Sequence, residues 1–219
     1  MSPDPATRLH EIYHRLFSAY GPQHWWPAKS RFEVILGAIL TQNTNWKNVE
    51  RAITNLRKAD LLRYENLRET PPGKLAELIR PSGYYNIKTK RLRSFCRFLQ
   101  REYDGNLSRM FRTQTEELRR ELLAVPGIGP ETADSILLYA AKRPVFVVDA
   151  YTHRVLSRHG LCGETSSYEE IQSLFMDHLD DDVRMFNEYH ALFVRVGKLH
   201  CTPKPRCDGC PLDERTKLT

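Results

Sequence analysis

Asp149 is the residue whose type and setting most directly suggest chemistry. It follows the apolar run Val145 to Val148 and precedes AYTHRVLSRHG, so its carboxylate is expected to cap the N-terminus of a helix. A carboxylate beside a helix dipole stays ionised, and a fixed anion stabilises a developing cation. Asp149 is therefore predicted to cap a helix and also to act in catalysis, with a cap alone as the simpler alternative.

A glycine-rich turn, VPGIGP, lies between two helical patterns upstream of Asp149. Gly127 and Gly129 can adopt positive φ, Ile128 can point inward, and the second helix would begin with free amide groups. Such amides bind phosphate without reading a base, so the turn is typical of a helix-hairpin-helix that binds a nucleic-acid backbone. An ordinary interhelical turn is the alternative.

The three tryptophans of the chain, Trp25, Trp26 and Trp46, all lie in the N-terminal quarter. Aromatic rings hold a base that has been flipped out of a duplex, with about 1–3 kcal/mol per stacked base, and indoles suit cationic bases especially well. The tryptophans thus favour a pocket for a cationic base. Alternatively, Trp25 and Trp26 anchor the N-terminal segment to the core.

Together these features resemble the endonuclease III-like, helix-hairpin-helix DNA glycosylases, and most of all their 3-methyladenine branch. The resemblance runs from about Trp25 to Cys210. It is carried by LGAILTQNTNWKNVERAI, IRPSGYYNIKTKRL, VPGIGPETADSIL, VVDAYTHRV and a C-terminal cysteine cluster. It implies a cleft between two lobes that holds Asp149 and the flipped base.

Glu131 departs from the bifunctional members of that family, which carry a lysine at this position. Their amine forms a Schiff base with the sugar and cleaves the strand, whereas a carboxylate cannot form an imine. The resemblance therefore implies a monofunctional glycosylase in which Asp149 supports attack by water on the anomeric carbon and leaves an abasic site. Alkylated bases such as 3-methyladenine fit this, because their positive charge already weakens the glycosidic bond.

The resemblance also implies roles for residues around the reaction. Gln42 would fill the hole left by the flipped nucleotide, and Tyr84 would act as a wedge on the opposite strand; both could equally be packing residues. The expected base pocket contains Trp25, Trp26, Trp46 and Lys198, and for Lys198 a solvated lysine is the alternative. The expected DNA-binding residues are Gln42, Tyr84, Asn86, Lys88, Gly127, Gly129 and Glu131. The basic residues after the Gly83 turn could instead form a solvated face.

The cysteines Cys201, Cys207 and Cys210 form a C-terminal cluster. In the resembled family four cysteines of this region often hold a [4Fe-4S] cluster. Here the first gap is one residue shorter than in that pattern, and Thr216 occupies the place of the fourth cysteine. The sequence leaves three outcomes open: an iron–sulfur cluster completed by Cys162 or His200, a zinc ion, or a relic with free thiols.

Composition agrees with a nucleic-acid partner. The chain has 219 residues, a net charge of +6 and 41% hydrophobic residues, and it contains no apolar run long enough to span a membrane. The expected partner is double-stranded damaged DNA bound by a monomer, with no membrane association. We expect a cytoplasmic, nucleoid-associated protein of bacterial or archaeal type, without a disulfide framework.

Helical periodicity extends nearly throughout, with Pro- and Gly-containing breaks such as TPPG, RPSG and VPGIGP. The sequence therefore predicts an all-α protein. By resemblance it would adopt a two-lobed fold, with a six-helix barrel at residues 32–143 and a second lobe from residues 1–31 and 144–219. Two functions besides excision of an alkylated base remain open: a glycosylase for uracil, mismatched thymine or oxidised pyrimidine, and a noncatalytic DNA-binding module.

Overall fold

The computed structural model describes residues 4–213 and confirms the all-α prediction, since these residues contain helices and no strand. The α-helices are α1 Pro5–Tyr20, α2 Arg31–Leu40, α3 Trp46–Lys58, α4 Tyr64–Glu69, α5 Pro72–Leu78, α6 Tyr85–Tyr103, α7 Leu107–Met110, α8 Thr115–Leu123, α9 Pro130–Ser135, α10 Ala150–Arg158, α11 Tyr168–Met176 and α12 Val183–Leu199. A 3₁₀ turn at Arg80–Ser82 precedes α6, and a π-helical stretch at Ile136–Ala141 continues α9.

The chain divides into two compact units. The first spans Met1–Pro27 and Pro144–Thr219, of which residues 4–27 and 144–213 are described, and the second spans Ala28–Arg143. The second unit therefore contains α2 to α9, including the hairpin. The first contains α1 and α10 to α12, together with the segment that bears Asp149.

The second unit is built around α2. Residues Phe32–Leu40 of this helix are buried without interruption, because its sequence is apolar almost all round. Its one buried charge, Glu33, is paired with Arg57 of α3 at 2.5 Å. Helix α2 packs against α3, α6 and the π-helical stretch after α9, so it supports the hairpin from within.

The first unit has an aromatic core. The rings of Phe146 and Phe175 are stacked with centroids 3.6 Å apart, and Tyr189 of α12 lies edge-on to both. The Tyr189 hydroxyl donates to the Leu9 carbonyl at 2.8 Å, which satisfies a buried polar group and joins α12 to α1. Helix α10 also packs against α12, so the start of α10 is fixed relative to that core.

None of the helices in residues 4–213 combines the length and apolar character needed to cross a bilayer.

Candidate functional site

The predicted helix-hairpin-helix is present as α8, a tight turn and α9. Gly127 adopts φ +90°, and Ile128 is buried at 5% exposure, as the sequence indicated. Gly129 corrects the expectation of two positive-φ glycines: its φ of −97° and ψ of −179° are extended, and it forms the N-cap of α9. Within the described residues, the backbone bonds of the turn join Ile128 N to Val125 O and Ala133 N to Gly129 O. The Gly127 and Gly129 amides take no part in them.

A buried ion pair joins the two hairpin helices. Arg119 of α8 donates to both carboxylate oxygens of Asp134 on α9, at 2.7 and 3.0 Å, and the Asp134 side chain has no solvent exposure. A bidentate pair fixes orientation as well as distance. The turn is therefore held on a rigid pair of helices.

Gln42 lies against the hairpin, just beyond the end of α2. Its side-chain nitrogen donates to the Gly127 carbonyl at 3.0 Å and to the Thr132 hydroxyl at 2.8 Å. Its side-chain oxygen accepts a hydrogen bond from Arg91 of α6. Three separate segments of this unit thus meet at one glutamine side chain. The hole-filling role of Gln42 stays a prediction.

The segment before α6 presents exposed apolar side chains. Gly83 and Tyr84 both have positive φ, +68° and +45°, and Tyr84 is 66% exposed. Ile87, one helical turn further on, is 50% exposed, and Asn86 between them is also exposed. Tyr84 and Ile87 therefore form an exposed apolar pair, and the role of Tyr84 as a wedge stays a prediction.

Lys88 does not have the surface position expected of a phosphate ligand. Its side chain is fully buried, and its ammonium donates to the Leu40 carbonyl at 2.8 Å and to the Ser82 carbonyl at 2.6 Å. Burial, aided by repulsion from Arg91, lowers its pKa from 10.5 to about 8. The periodicity of the basic segment did not reveal this, because the 3₁₀ turn and the end of α2 supply carbonyls that the sequence does not identify. Lys88 supports the exposed segment from inside.

Glu131 lies in the first turn of α9 and is exposed. A carboxylate at this end of a helix is favoured by the helix dipole. Position 131 therefore carries a negative charge that stabilises the helix N-terminus.

Asp149 is the N-cap of α10, as predicted. Its Oδ1 accepts from the Thr152 amide at 2.8 Å and from the Thr152 hydroxyl at 3.0 Å, and its Oδ2 lies 3.6 Å from Nε2 of His190 on α12. Burial acts to raise the pKa of Asp149, but the neighbouring His190 imidazole and the hydrogen bonds from Thr152 together lower it below the ordinary 3.8. The carboxylate is therefore ionised, with Oδ1 held by Thr152 and Oδ2 facing His190.

Trp25 and Trp26 are half-buried neighbours in the first unit, with ring centroids 5.0 Å apart. Their segment is tied to α12, because the Gln23 amide donates to Glu188 at 2.6 Å. Trp46 is the first residue of α3 in the second unit and is also half-buried. The tryptophans thus belong to two units, and a shared pocket stays a prediction.

Lys198 is an exposed residue near the end of α12, and its ammonium lies 5.9 Å from the centroid of the Tyr151 ring. Tyr151 belongs to the first turn of α10, two residues after Asp149. Lys198 is therefore held on the same pair of helices as the candidate catalytic residue. Its predicted role in the base pocket stays open.

The C-terminal cysteines do not form a metal-binding group. Among residues 4–213, no three His, Cys, Asp or Glu side chains are placed to hold a metal ion, and Thr216, at the place of the fourth cysteine, lies outside these residues. Cys201 Sγ instead accepts from Arg158 at 3.2 Å. His200, proposed above as a ligand, is hydrogen-bonded to the Arg206 carbonyl at 3.1 Å. The described residues by themselves do not complete an iron–sulfur or zinc site, so no chemistry is assigned to either.

Arginine side chains hold this loop. Arg158 donates to the Thr202 and Pro203 carbonyls at 2.7 and 3.0 Å, and Arg154 donates to the Cys201 carbonyl at 2.6 Å. Arg15 of α1 reaches Pro211 O, at 2.8 Å. These charge-assisted bonds satisfy carbonyls that a short irregular loop leaves without helix partners.

Three residues that shape these sites were not predicted from the sequence: Arg119, Thr132 and His190. Arg91 was expected in a basic segment that contacts phosphates, but its bond to Gln42 was not expected. Thr152, by contrast, is three residues after Asp149, which is the spacing of a helix cap. His190 carried a weak signal, since it is a polar residue within the buried face of α12 beside Tyr189 and Phe193. Arg119 and Asp134 had no such signal in the sequence, because their pairing across the hairpin depends on the tertiary structure.

Comparison with known proteins agrees with this arrangement. A Methanocaldococcus jannaschii protein named provisionally as a DNA repair glycosylase is 50% identical over 98% of both chains. Endonuclease III of Thermotoga maritima is 29% identical over 82% of this chain and 79% of its own. The structure of H. pylori 3-methyladenine DNA glycosylase bound to 1,N6-ethenoadenine matches with a TM-score of 0.77 and 30% identity, covering 90% of this chain and 98% of that one.

The protein in a non-covalent endonuclease III–DNA complex shares the fold, with a TM-score of 0.81 and 22% identity, covering 94% of this chain and 92% of that one. The family model for HhH-GPD superfamily base excision DNA repair proteins matches residues 36–180, which include the hairpin and Asp149. The chain therefore belongs to the HhH-GPD superfamily and is a DNA repair glycosylase of that family.

Proposed function

We propose that this chain is a monofunctional DNA glycosylase that removes an alkylated base, with 3-methyladenine as the first candidate, by hydrolysis of its N-glycosidic bond. The observation that carries the proposal is Asp149, an ionised carboxylate held by Thr152 and His190 at the start of α10. Such an anion stabilises the oxocarbenium-like transition state of glycoside hydrolysis and supports attack by water.

The absence of an amine at position 131 supports hydrolysis without strand cleavage. A Schiff base requires a nucleophilic amine, and this position carries Glu131. The product would be an abasic site in an intact strand. Strand cleavage would then require a separate enzyme.

The unit from Ala28 to Arg143 is proposed to bind the duplex. The amides of Gly127 and Gly129 would bind a backbone phosphate. The Arg119–Asp134 ion pair would hold the turn that carries these amides. Tyr84 would enter the base stack as a wedge, and Gln42 would fill the vacated space. These contacts position the duplex but do not choose the base.

Selection of the base is proposed to depend on the tryptophans. The indole rings of Trp25 and Trp26, with centroids 5.0 Å apart, are proposed to stack on the flipped ring. The likeness to a 3-methyladenine DNA glycosylase at 30% identity supports an alkylated adenine. The endonuclease III relatives support the alternative of a damaged pyrimidine.

The test uses four duplexes containing 3-methyladenine, uracil, a thymine mismatch or an oxidised pyrimidine. Breaks that appear only after alkali support hydrolysis without lyase activity, and the duplex concerned identifies the base. Breaks without alkali would show that another amine acts as a lyase. No product on any duplex would favour a noncatalytic DNA-binding module.

Asp149→Asn provides the matched variant. Asparagine still accepts a hydrogen bond as an N-cap, but it carries no charge. We expect excision to be lost while affinity for the duplex stays nearly unchanged. Full excision by this variant would remove Asp149 from the reaction.

A further inference from the structure

The two oxygens of Asp149 have different partners. Oδ1 accepts both hydrogen bonds from Thr152 and so belongs to the helix cap, whereas Oδ2 faces the His190 imidazole, 3.6 Å from its Nε2. Capping therefore fixes one oxygen and leaves the direction of the other to His190. A cap alone would not require a partner on α12.

The approach of α10 to α12 brings this pair together. A Cβ atom added to Gly197 on α12 would lie 2.5 Å from Cδ1 of Tyr151 on α10, so the close packing at this point depends on a glycine. Arg154, also on α10, donates to the Cys201 carbonyl just beyond α12 at 2.6 Å. The two helices are thus fixed to each other at two points, both C-terminal to the Asp149–His190 pair.

Both members of the pair are largely shielded from solvent. The side chains of Asp149 and His190 are 12% and 8% exposed, and Thr152 is fully buried. Charge interactions are stronger where water is excluded, and a buried carboxylate needs partners to remain ionised. The small remaining exposure of Asp149 leaves it accessible to a substrate.

We propose that His190 is a positioning residue for the glycosylase reaction: its imidazole orients Oδ2 of the Asp149 carboxylate while positive charge develops on the sugar. His190 acts through Asp149 and does not touch the substrate. The inference rests on the proposed function, because it assigns a partner to the residue that carries that function. The alternative is a histidine that only fills space in the core.

The experiment compares variants at position 190 on the panel duplex from which the wild-type protein releases a base. His190→Gln keeps a side-chain donor, His190→Leu keeps similar bulk without a donor, and His14→Gln is the control on the exposed face of α1. Base release is measured under single-turnover conditions, duplex affinity by titration, and folding by circular dichroism and melting temperature.

We expect His190→Leu to slow base release about 10- to 100-fold, the range expected when a largely buried charge loses a polar neighbour. Its duplex affinity should stay within about twofold of wild type, since the pair binds no phosphate. His190→Gln should recover part of the rate, because its amide can donate to Oδ2, and His14→Gln should match wild type. If His190→Leu does not fold, His190→Ala takes its place.

An independent check combines these changes with Asp149→Asn. A residue that acts through Asp149 should add little to the loss already caused by Asp149→Asn. Equal rates for His190→Gln and His190→Leu, or a full additional loss in the double variant, would overturn the assignment while leaving the proposed function intact. If the wild-type protein releases no base from any duplex, the proposed function fails and the inference fails with it.

Discussion

Two glycines of one turn have different physical roles at the level of the residue. Gly127 has φ +90°, and a Cβ there would lie 2.3 Å from Cγ of Arg91, whereas Gly129 is extended and has open space at that position. Gly127→Ala is therefore expected to cost about 1–3 kcal/mol of stability and to weaken duplex binding. Gly129→Ala should cost about 1 kcal/mol or less, as a poorer N-cap. Chemical unfolding and duplex titration measure both effects, and equal losses would contradict this account.

Lys88 should make stability depend on pH in the alkaline range. Its pKa is about 8 in the folded chain and 10.5 when unperturbed, so the unfolded chain binds more protons between these values. Below about pH 8 the free-energy cost of burying the charged amine is fully present. The free energy of unfolding then rises as this cost disappears towards pH 10.5.

We therefore expect the unfolding free energy of wild type, relative to Lys88→Met, to rise across that window. Urea unfolding of both proteins at a series of pH values measures the difference and removes the contribution of other titrating groups. A difference that does not change with pH would mean that burial does not perturb this lysine.

At the level of the element, the hairpin depends on a charge pair that binds nothing itself. Removing one partner of a buried pair leaves an uncompensated charge, which typically costs about 3–5 kcal/mol. Arg119→Met should therefore destabilise the chain strongly and weaken duplex binding. Arg120→Met, a change at the exposed neighbour on the same helix, should do neither. Urea unfolding distinguishes the two variants. Similar unfolding curves would show that the Arg119–Asp134 ion pair does not stabilise the hairpin.

In the C-terminal loop, opposite effects on stability are expected for substitution of a cysteine and of an arginine. Cys207 is exposed, whereas Arg158 donates to three acceptors of the loop. Arg158→Ala should lower the melting temperature, while Cys207→Ser should leave it unchanged. Elemental analysis of the purified protein tests whether these thiols bind iron or zinc. Stoichiometric metal that is lost in Cys207→Ser would show that the thiols bind an ion.

At the level of the whole molecule, the net charge of +6 should govern the affinity for DNA. Each phosphate neutralised releases counterions, so contacts to about four phosphates reduce affinity on the order of 100-fold between about 50 and 200 mM salt. Wild type and Asp149→Asn should show the same slope of log affinity against log salt, because Asp149 binds no phosphate in the proposed mode. A flat response would argue against backbone binding by the hairpin.

Much of this protein could be predicted from its sequence, where the signal is local. Helical periodicity predicts the all-α class, and the VPGIG segment predicts the hairpin with a buried Ile128. The spacing from Asp149 to Thr152 is that of a helix cap. Caps and turns are formed by residues a few positions apart, so their chemistry is present in the order of residues itself. The carboxylate at Glu131 is likewise visible without a fold.

The tertiary structure decided the features that depend on residues distant in the chain. Lys88 was expected on the surface but is buried, because the end of α2 supplies an acceptor 48 positions away. Gly129 is extended because it begins α9, so only one of the two hairpin glycines needs positive φ. The partner of Asp149 is His190, which becomes a neighbour only when α10 packs on α12. Long-range packing sets burial and charge pairing, and these are not encoded in local spacing.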